Sequence, residues 1–501
     1  MRSPFLPMPS TWVALSLLAA LSLPAVVRAA DPADSARGQA ANGGQAEAAP
    51  SLEELDGKIR LLERKLEVKE EEEATRKEQA ASVTAGKDGF SLVSADKESA
   101  LKFKYFQHTD GRYYFEDGDN KLPNTLLLRR VRPVLEGTVG KYYNFRVQPE
   151  FATAFQILDA YGELAYWPWA RLRIGKSKTP LGLERIQSSQ DMAIVEFAHP
   201  TSLTPNYDLG ISLLGDFLEE SYGYYIGVFN GAVDGASRDV DLNDDKDLIG
   251  RVFAQPFKNG SVEPLRGLGL GFAASWGKRF GDAANSELPT YKTEGQQTFY
   301  AYRSVADKAS AVAYNATTKV VSNTTAVVGD SGTVRAIGSQ YRFNPQGYWY
   351  FGPVGLLGEY IASTQEVGKG GANTDEKATL TTTAWQATAS WVLTGESPSF
   401  KGLKPRHPVS FSGGDASGFG ALELAVRYSR LDADADAFPV YANPASAAQE
   451  AATWTAGLNW YLSRYAKLSA DYAWTEFKGG AASGADRPEE KVFFGRLQTA
   501  F

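Results

Sequence analysis

Basic side chains gather in one stretch of this chain, a local cation excess that favours anions there. Arg129, Arg130 and Arg132 stand within four residues of one another, and Arg171, Arg173, Lys176, Lys178 and Arg185 follow within the next 53. Guanidinium and ammonium groups at a narrow point replace part of an anion's hydration shell with charge-assisted hydrogen bonds. Residues 101–200 carry 14 Lys and Arg against 11 Asp and Glu, while 101–501 as a whole carry 40 against 43. Net charge therefore predicts nothing, and the local excess does. The competing reading makes Asp159, Glu163 and Glu184 carboxylates of a wall, paired with these arginines as ordinary salt bridges.

Other chemistries find little to work with. The chain has no cysteine and three histidines, His108, His199 and His407, which excludes thiolate chemistry and a His-rich metal site. His199 precedes Pro200 and reads as structural. No histidine-based dyad, phosphate-cradling glycine loop, cofactor motif or nucleic-acid stripe is present. Asn243-Asp-Asp-Lys-Asp247 resembles a Ca²⁺ loop but lacks its glycine and terminal glutamate, and reads as a solvated loop.

The segments that position these residues begin at the amino terminus. Arg2, an apolar run over Thr11–Leu23, Pro24 and Val27-Arg28-Ala29 make a secretory signal cut after Ala29. Residues 30–50 have almost nothing to bury and read as a disordered leader. Ser51-Leu-Glu-Glu54 is a capping box, and Leu52, Leu55, Ile59, Leu62 and Leu66 alternate steps of three and four. Residues 51–80 are thus expected to form a short coiled-coil helix, or a solvated spacer helix, with 81–100 as a linker. With 43% hydrophobic residues, mean hydropathy −0.30 and no later stretch of 18 apolar residues, the mature chain holds no helical membrane span.

From Leu101 onward the period is two. Trp454, Ala456, Leu458, Trp460 and Leu462 alternate with Thr453, Thr455, Gly457, Asn459 and Tyr461. Leu468, Ala470, Tyr472 and Trp474 alternate with Lys467, Ser469, Asp471 and Ala473, and the closing Phe493–Phe501 run carries Arg496 and Gln498 on its polar face. These are half-buried strands. Aromatics expected at strand ends, and strands continuing over 401 residues without a break, favour a membrane barrel over a sandwich. At roughly 25 residues per strand the length gives about 16 strands, enough for a water-filled lumen. The expected fold is all-β: a transmembrane antiparallel barrel over 101–501, with an inward loop near 178–206. Arg171 and Arg173 share one face of their strand, so a polar lumen would gather the cations where that loop begins.

Several stretches resemble the phosphate-selective porin O and P family. They begin with Leu128-Arg-Arg-Val-Arg-Pro-Val-Leu-Glu-Gly137, Asp159-Ala-Tyr-Gly-Glu163, Arg173-Ile-Gly-Lys-Ser-Lys-Thr-Pro-Leu-Gly-Leu-Glu-Arg-Ile-Gln-Ser-Ser189 and Val228-Phe-Asn-Gly231. Leu393-Thr-Gly-Glu396, Leu422-Glu-Leu-Ala-Val-Arg-Tyr-Ser429, Gly457-Leu-Asn-Trp-Tyr461 and the Arg496-Leu-Gln ending continue the series. The resemblance implies a homotrimer of 16-stranded barrels in the outer membrane of a Gram-negative cell, each passing small anions, phosphate above all, and the amino-terminal segment in the periplasm. It also implies that Arg129 and Arg130 match the family's constriction pair. A regular strand puts Arg130 and Arg132 on one face and Arg129 on the other, so Arg129 reaches the lumen only near a strand end or a bulge.

Two positions depart from the family pattern. Phe197 stands where the inward loop usually has arginine, and Tyr105 where the first strand has another. No Arg-dense segment occurs in 260–400. A weakly selective general porin, and a structural barrel tethered through its coiled coil, are therefore the alternatives to a phosphate-type anion channel. An enzyme built on a barrel is disfavoured by the scattered histidines.

Overall fold

The period-two segments fold into one closed barrel. The computed structural model describes residues 51–86, 89–115, 123–241, 244–304, 311–315, 320–324, 332–370, 376–410 and 418–501. The expected signal (1–29) and leader (30–50) lie outside the described residues.

Helix α1, Leu52–Gln79, starts at the capping box: Glu54 N donates to Ser51 Oγ at 3.2 Å and Ser51 N to Glu54 Oε2 at 3.3 Å. Leu52, Leu55, Ile59, Leu62 and Leu66 are all exposed. Residues 81–100, expected as a linker, instead carry a hairpin of Ser82–Gly86 and Gly89–Val93, whose second strand pairs Phe90 with Phe103 and Val93 with Ala100. Val83, Phe90 and Leu92 supply a short alternation, and the Phe90 ring meets Phe501 edge-on at 5.7 Å.

The barrel strands are β1 Ala100–Tyr114, β2 Thr125–Val139, β3 Tyr143–Glu150, β4 Gln156–Trp167, β5 Ala170–Lys178, β6 Tyr207–Phe217, β7 Tyr222–Phe229 and β8 Asp247–Ala254. They continue as β9 Leu268–Phe280, β10 Val334–Phe351, β11 Val354–Lys369, β12 Glu376–Val392, β13 Ala421–Asp432, β14 Ala448–Tyr461, β15 Ala466–Gly479 and β16 Glu490–Ala500. Each pairs antiparallel with the next, and β16 closes on β1 from Val492↔Tyr114 to Ala500↔Phe106. Closure removes the terminal edges of the sheet, which hydrocarbon demands, although β2 outruns its neighbour: it pairs with β3 only from Leu135↔Val147 to Val139↔Tyr143. One barrel end has tight turns such as 140–142, 168–169 and 352–353, and the other has long connections such as 179–206, 230–246 and 281–333.

Side chains alternate as expected. On β14, Thr453, Thr455 and Asn459 are buried, whereas Trp454 and Leu458 are exposed on the outer face. The aromatics form a belt, with Tyr428 5.1 Å from Trp385 and 4.8 Å from Trp454. Of the tryptophans expected at strand ends, Trp391 and Trp460 stand one residue from the ends of β12 and β14, whereas Trp385, Trp454 and Trp474 lie within their strands. The reason is strand length: β12 and β14 have 17 and 14 residues, more than the roughly 10 needed to cross hydrocarbon, so they continue past it.

Candidate functional site

The connection after β5 turns into the barrel and lies against the far wall. Gly182, at φ 80°, makes the turn, and a Cβ there would come within 2.9 Å of Thr204 Cγ2. Its N–H donates to Asn344 Oδ1 at 2.9 Å. The single-turn helix α2, Leu183–Ile186, follows, with Leu183 N and Glu184 N donating to the Glu359 carboxylate at 2.6 and 3.1 Å. Val195 N donates to Asp471 Oδ2 at 2.5 Å, and His199 N to Ser429 Oγ at 2.9 Å. His199 Nε2 meets Thr453 Oγ1 at 2.9 Å, so this imidazole is structural; burial, reinforced by the Arg427 charge, pushes it down to about 3. Leu181, Leu183, Leu203 and Ala198 bury the apolar side of the loop. Wall residues thus satisfy loop N–H groups that would otherwise be orphaned away from water.

Two buried clusters fix the loop electrostatically. In the first, Glu196 accepts from Arg129 Nε at 2.8 Å and Nη2 at 3.1 Å, and from Arg112 Nη2 at 3.0 Å. Burial opposes charge on Glu196. The attraction and hydrogen bonds of Arg129, with Arg130 and Arg112 behind them, outweigh burial and hold this carboxyl well below the usual carboxylate range. In the second, Arg427 is fully buried between Glu184 of the inward loop at 2.7 Å and Glu294 at 2.9 Å. Glu294 lies between the paired strands Thr290–Lys292 and Thr298–Ala301, a second inward-folded segment. Burial pushes Glu184 up to about 7 against the pull of Arg427, because Glu359 and Glu294 crowd the same space.

Among the described residues two large water-accessible chambers flank the loop. One, of about 550 Å³, lies toward the long connections and is lined by Arg129, Arg130, Arg132, Lys178, Arg185 and Phe197 among others. The other, of about 800 Å³, lies toward the tight turns. They share four lining residues, Arg132, Lys178, Ser189 and Tyr207. The second chamber is lined by ten Lys and Arg and by two carboxylates, Asp159 and Asp191. Burial pushes Asp191 up to about 6 against the pull of Lys467, Lys404 and Lys178.

Among residues singled out from sequence, Arg129, Arg130, Arg132, Lys178 and Arg185 come together on the first chamber. Arg129 gets there by a bulge: His108 pairs with Arg130 but Thr109 with Leu128, so Arg129 is the extra residue. Arg130 is buried, its Nη1 meets His108 Nδ1 at 3.1 Å, and the other His108 nitrogen meets Gln498 Oε1 at 3.0 Å. Among the described residues no carboxylate forms an ion pair with Arg130. Arg132, by contrast, is paired with Glu150 at 2.6 Å. Arg185 donates to Thr201 O at 2.7 Å, and burial pushes its guanidinium down to about 10 against the pull of Glu184. The Phe197 ring lies 5.5 Å from Arg130 and 4.8 Å from Arg185, so it contacts cations where the family pattern would place one.

The remaining candidates lie elsewhere. Arg173 faces the second chamber, paired with Glu163 at 2.7 Å. Arg171 pairs with Asp216 at 2.6 Å and Lys176 with Asp239, and neither lines a chamber. Lys176 has the opposite parity to Arg171 and Arg173, that of the exposed Leu172 and Ile174, and Arg171 stands at the tight-turn end of β5 where Asp216 takes it; of the three acids in the wall reading, Glu163 is the partner of Arg173. Asp159 accepts from Arg146 at 2.9 Å. Glu184 is no wall partner of Arg171 or Arg173: α2 carries it to Arg427, 243 residues away in the chain. Sequence reasoning missed Arg427, Glu294 and Glu359, and the second-chamber cations Arg251, Lys401, Lys404, Arg464 and Lys467. Inward parity on a strand was the one available signal for Arg251, Glu359, Arg427 and Lys467; for Glu294, Lys401, Lys404 and Arg464, which lie on connections, there was none. Among the described residues no group of His, Cys, Asp and Glu is placed to hold a metal, and no helix is long and apolar enough to cross a membrane.

The family model for phosphate-selective porin O and P matches residues 100–501. No curated protein sequence matches the chain. Among solved structures, the chain is similar to an anion-selective porin from Comamonas acidovorans, at 14% identity and TM-score 0.47, over 80% of this chain and 100% of that one. It is similar to the outer membrane channel DcaP of Acinetobacter baumannii at 10% identity and TM-score 0.48, over 80% and 97%. For the trimer form of OmpT, an outer membrane protein of Vibrio cholerae, the values are 10%, 0.45, 80% and 99%.

Proposed function

The chain belongs to the phosphate-selective porin O and P family, and as an outer-membrane β-barrel porin we propose that it passes small anions by diffusion through a pore narrowed at Arg132, Lys178, Ser189 and Tyr207. The observation that carries this reading is the lining of the second chamber: of its ten cations Lys104, Arg132, Arg146 and Arg173 are ion-paired, while among the described residues no carboxylate forms an ion pair with the other six. A low-dielectric wall lined by one sign of charge concentrates the opposite ion and excludes its own. Distant acidic loops, beyond a Debye length of about 8 Å at physiological salt, do little to an ion inside.

Selectivity among anions is weak on this reading. Arg129 and Arg132 each spend their charge on a carboxylate, and Phe197 supplies a ring where the family pattern has a further cation. Phosphate is therefore held less tightly than by a strongly selective relative. The pore works as a homotrimer, with the tight-turn end of the barrel and the hairpin paired beside it on the periplasmic side, since tight turns face the periplasm in bacterial barrels. The exposed leucine seam of α1 makes a short coiled coil between the three copies.

Planar-bilayer reversal potentials across a KCl gradient, then a potassium phosphate gradient, test the proposal. Anion preference in both, modest for phosphate, is expected; a cation-preferring channel would overturn it.

A further inference from the structure

One stripe of the second chamber has a chemistry that diffusion of inorganic anions does not require. Tyr161, Arg173, Tyr225 and Arg251 come from β4, β5, β7 and β8 and all line this chamber. The Arg173 guanidinium carbon lies 4.1 Å from the Tyr161 ring centre and 6.0 Å from that of Tyr225. Tyr225 is in turn the cross-strand partner of Arg251. Rings and guanidiniums therefore alternate across this part of the wall.

The two arginines are held differently. Both Nε and Nη2 of Arg173 donate to Glu163, at 3.0 and 2.7 Å, so its charge is matched and its flat face is what it offers. Arg251 donates through Nε to Gln346 Oε1 at 3.1 Å, and among the described residues no carboxylate forms an ion pair with it. The carboxylate of Glu359 is committed instead to the backbone of α2. Tyr225 is fixed by a hydrogen bond at 3.0 Å with Ser212. The result is a charged fork beside preorganised flat surfaces.

We propose that this stripe is a binding subsite for planar aromatic carboxylates of the benzoate class. The carboxylate pairs with the fork of Arg251, a planar match that suits carboxylate geometry. The ring of the solute packs against Tyr225 and the face of Arg173. Inorganic phosphate cannot use the rings, and it gives up more hydration to approach an apolar wall. This inference rests on the anion-porin reading and adds an organic solute class to it.

The test uses the full-length porin in planar bilayers, with chloride current measured while benzoate, acetate or phosphate is added. Benzoate is expected to reduce the current at concentrations about tenfold below acetate or phosphate, a ratio within reach of ring stacking alone. Arg251→Gln keeps a polar contact to Gln346 and should remove most benzoate block. Tyr225→Leu should bring benzoate down to the level of acetate while leaving acetate itself unchanged. Equal block by all three anions would overturn the proposal, as would a benzoate preference surviving both variants. The reversal potential measured in the same bilayers stands apart: cation preference defeats the porin reading, while anion preference with no benzoate effect defeats this inference alone.

Discussion

Replacing Arg130 with glutamine isolates a single pore charge with unusually little structural damage. Arg130 is held by a neutral acceptor, His108 Nδ1, and by the Phe197 ring, so its loss strands no buried carboxylate. Glu196 keeps Arg129 and Arg112, and Glu150 keeps Arg132. The same change at Arg132 would leave Glu150 unpaired and confuse selectivity with folding. For an ion passing at about 7 Å in an aqueous lumen, one unit charge contributes about 0.6 kcal/mol. That is roughly threefold in favour of an anion and threefold against a cation, hence about eightfold in their permeability ratio. Screening by salt reduces the figure and the low dielectric of the wall raises it, so a three- to tenfold fall is the expected range. Reversal potential across a KCl gradient reads the ratio directly, at low salt and again near 1 M, where the effect should shrink. An R130Q channel with an unchanged reversal potential at low salt would refute the placement of this charge in the ion's path.

Glu196→Gln should destabilise the inward loop by about 3–5 kcal/mol, the usual result of removing one partner from a buried charged cluster, and the thermal unfolding midpoint of the barrel checks this. Because the folded carboxyl of Glu196 lies below its unfolded value, its contribution is complete above about pH 4.3 and is lost as pH falls further; a glutamine variant should show a flatter acid limb. Glu184 has the opposite sign. Its folded value of about 7 exceeds the unfolded one, so stability from this group declines as pH rises from about 4.3 to 7, and E184Q should flatten that slope in the same melts. Amino-terminal sequencing of outer-membrane material should begin near Ala30, and an intact Met1 would defeat the export signal. Detergent gels should show a trimer before boiling and a monomer afterwards, and removing 51–80 should leave the trimer intact, because two heptads add little to a barrel–barrel interface.

The barrel was legible because its rule is local. Alternation at Thr453–Tyr461 or Phe493–Phe501 needs nothing beyond a two-residue period, and length alone brought the count to sixteen. The hairpin at 82–93 was hidden because two five-residue strands are too short to show a period against background. The clusters were hidden for a different reason. Glu184 and Arg427 are ordinary charged residues until a loop crossing the lumen brings them to 2.7 Å, and a one-dimensional pattern carries no trace of that crossing.

Arg129 lies between these cases, and it shows what a sequence conflict is worth. Alternation puts Arg129 and Arg130 on opposite faces, one toward lipid, where an unpaired guanidinium is expensive. Two adjacent arginines on a membrane strand therefore demand either a partner outside the barrel or a local break in pairing. The break is what the chain uses: one extra residue opposite His108 turns Arg129 inward, and Glu196 of the inward loop receives it. The bulge and the loop carboxylate are thus one device. The bulge alone would place a second unmatched cation beside Arg130, and Glu196 alone would be a buried acid with a weaker hold. Together they leave Arg130 without a carboxylate partner among the described residues at the wall of the first chamber, so its charge adds to that of the cation-lined second chamber instead of being spent on the loop.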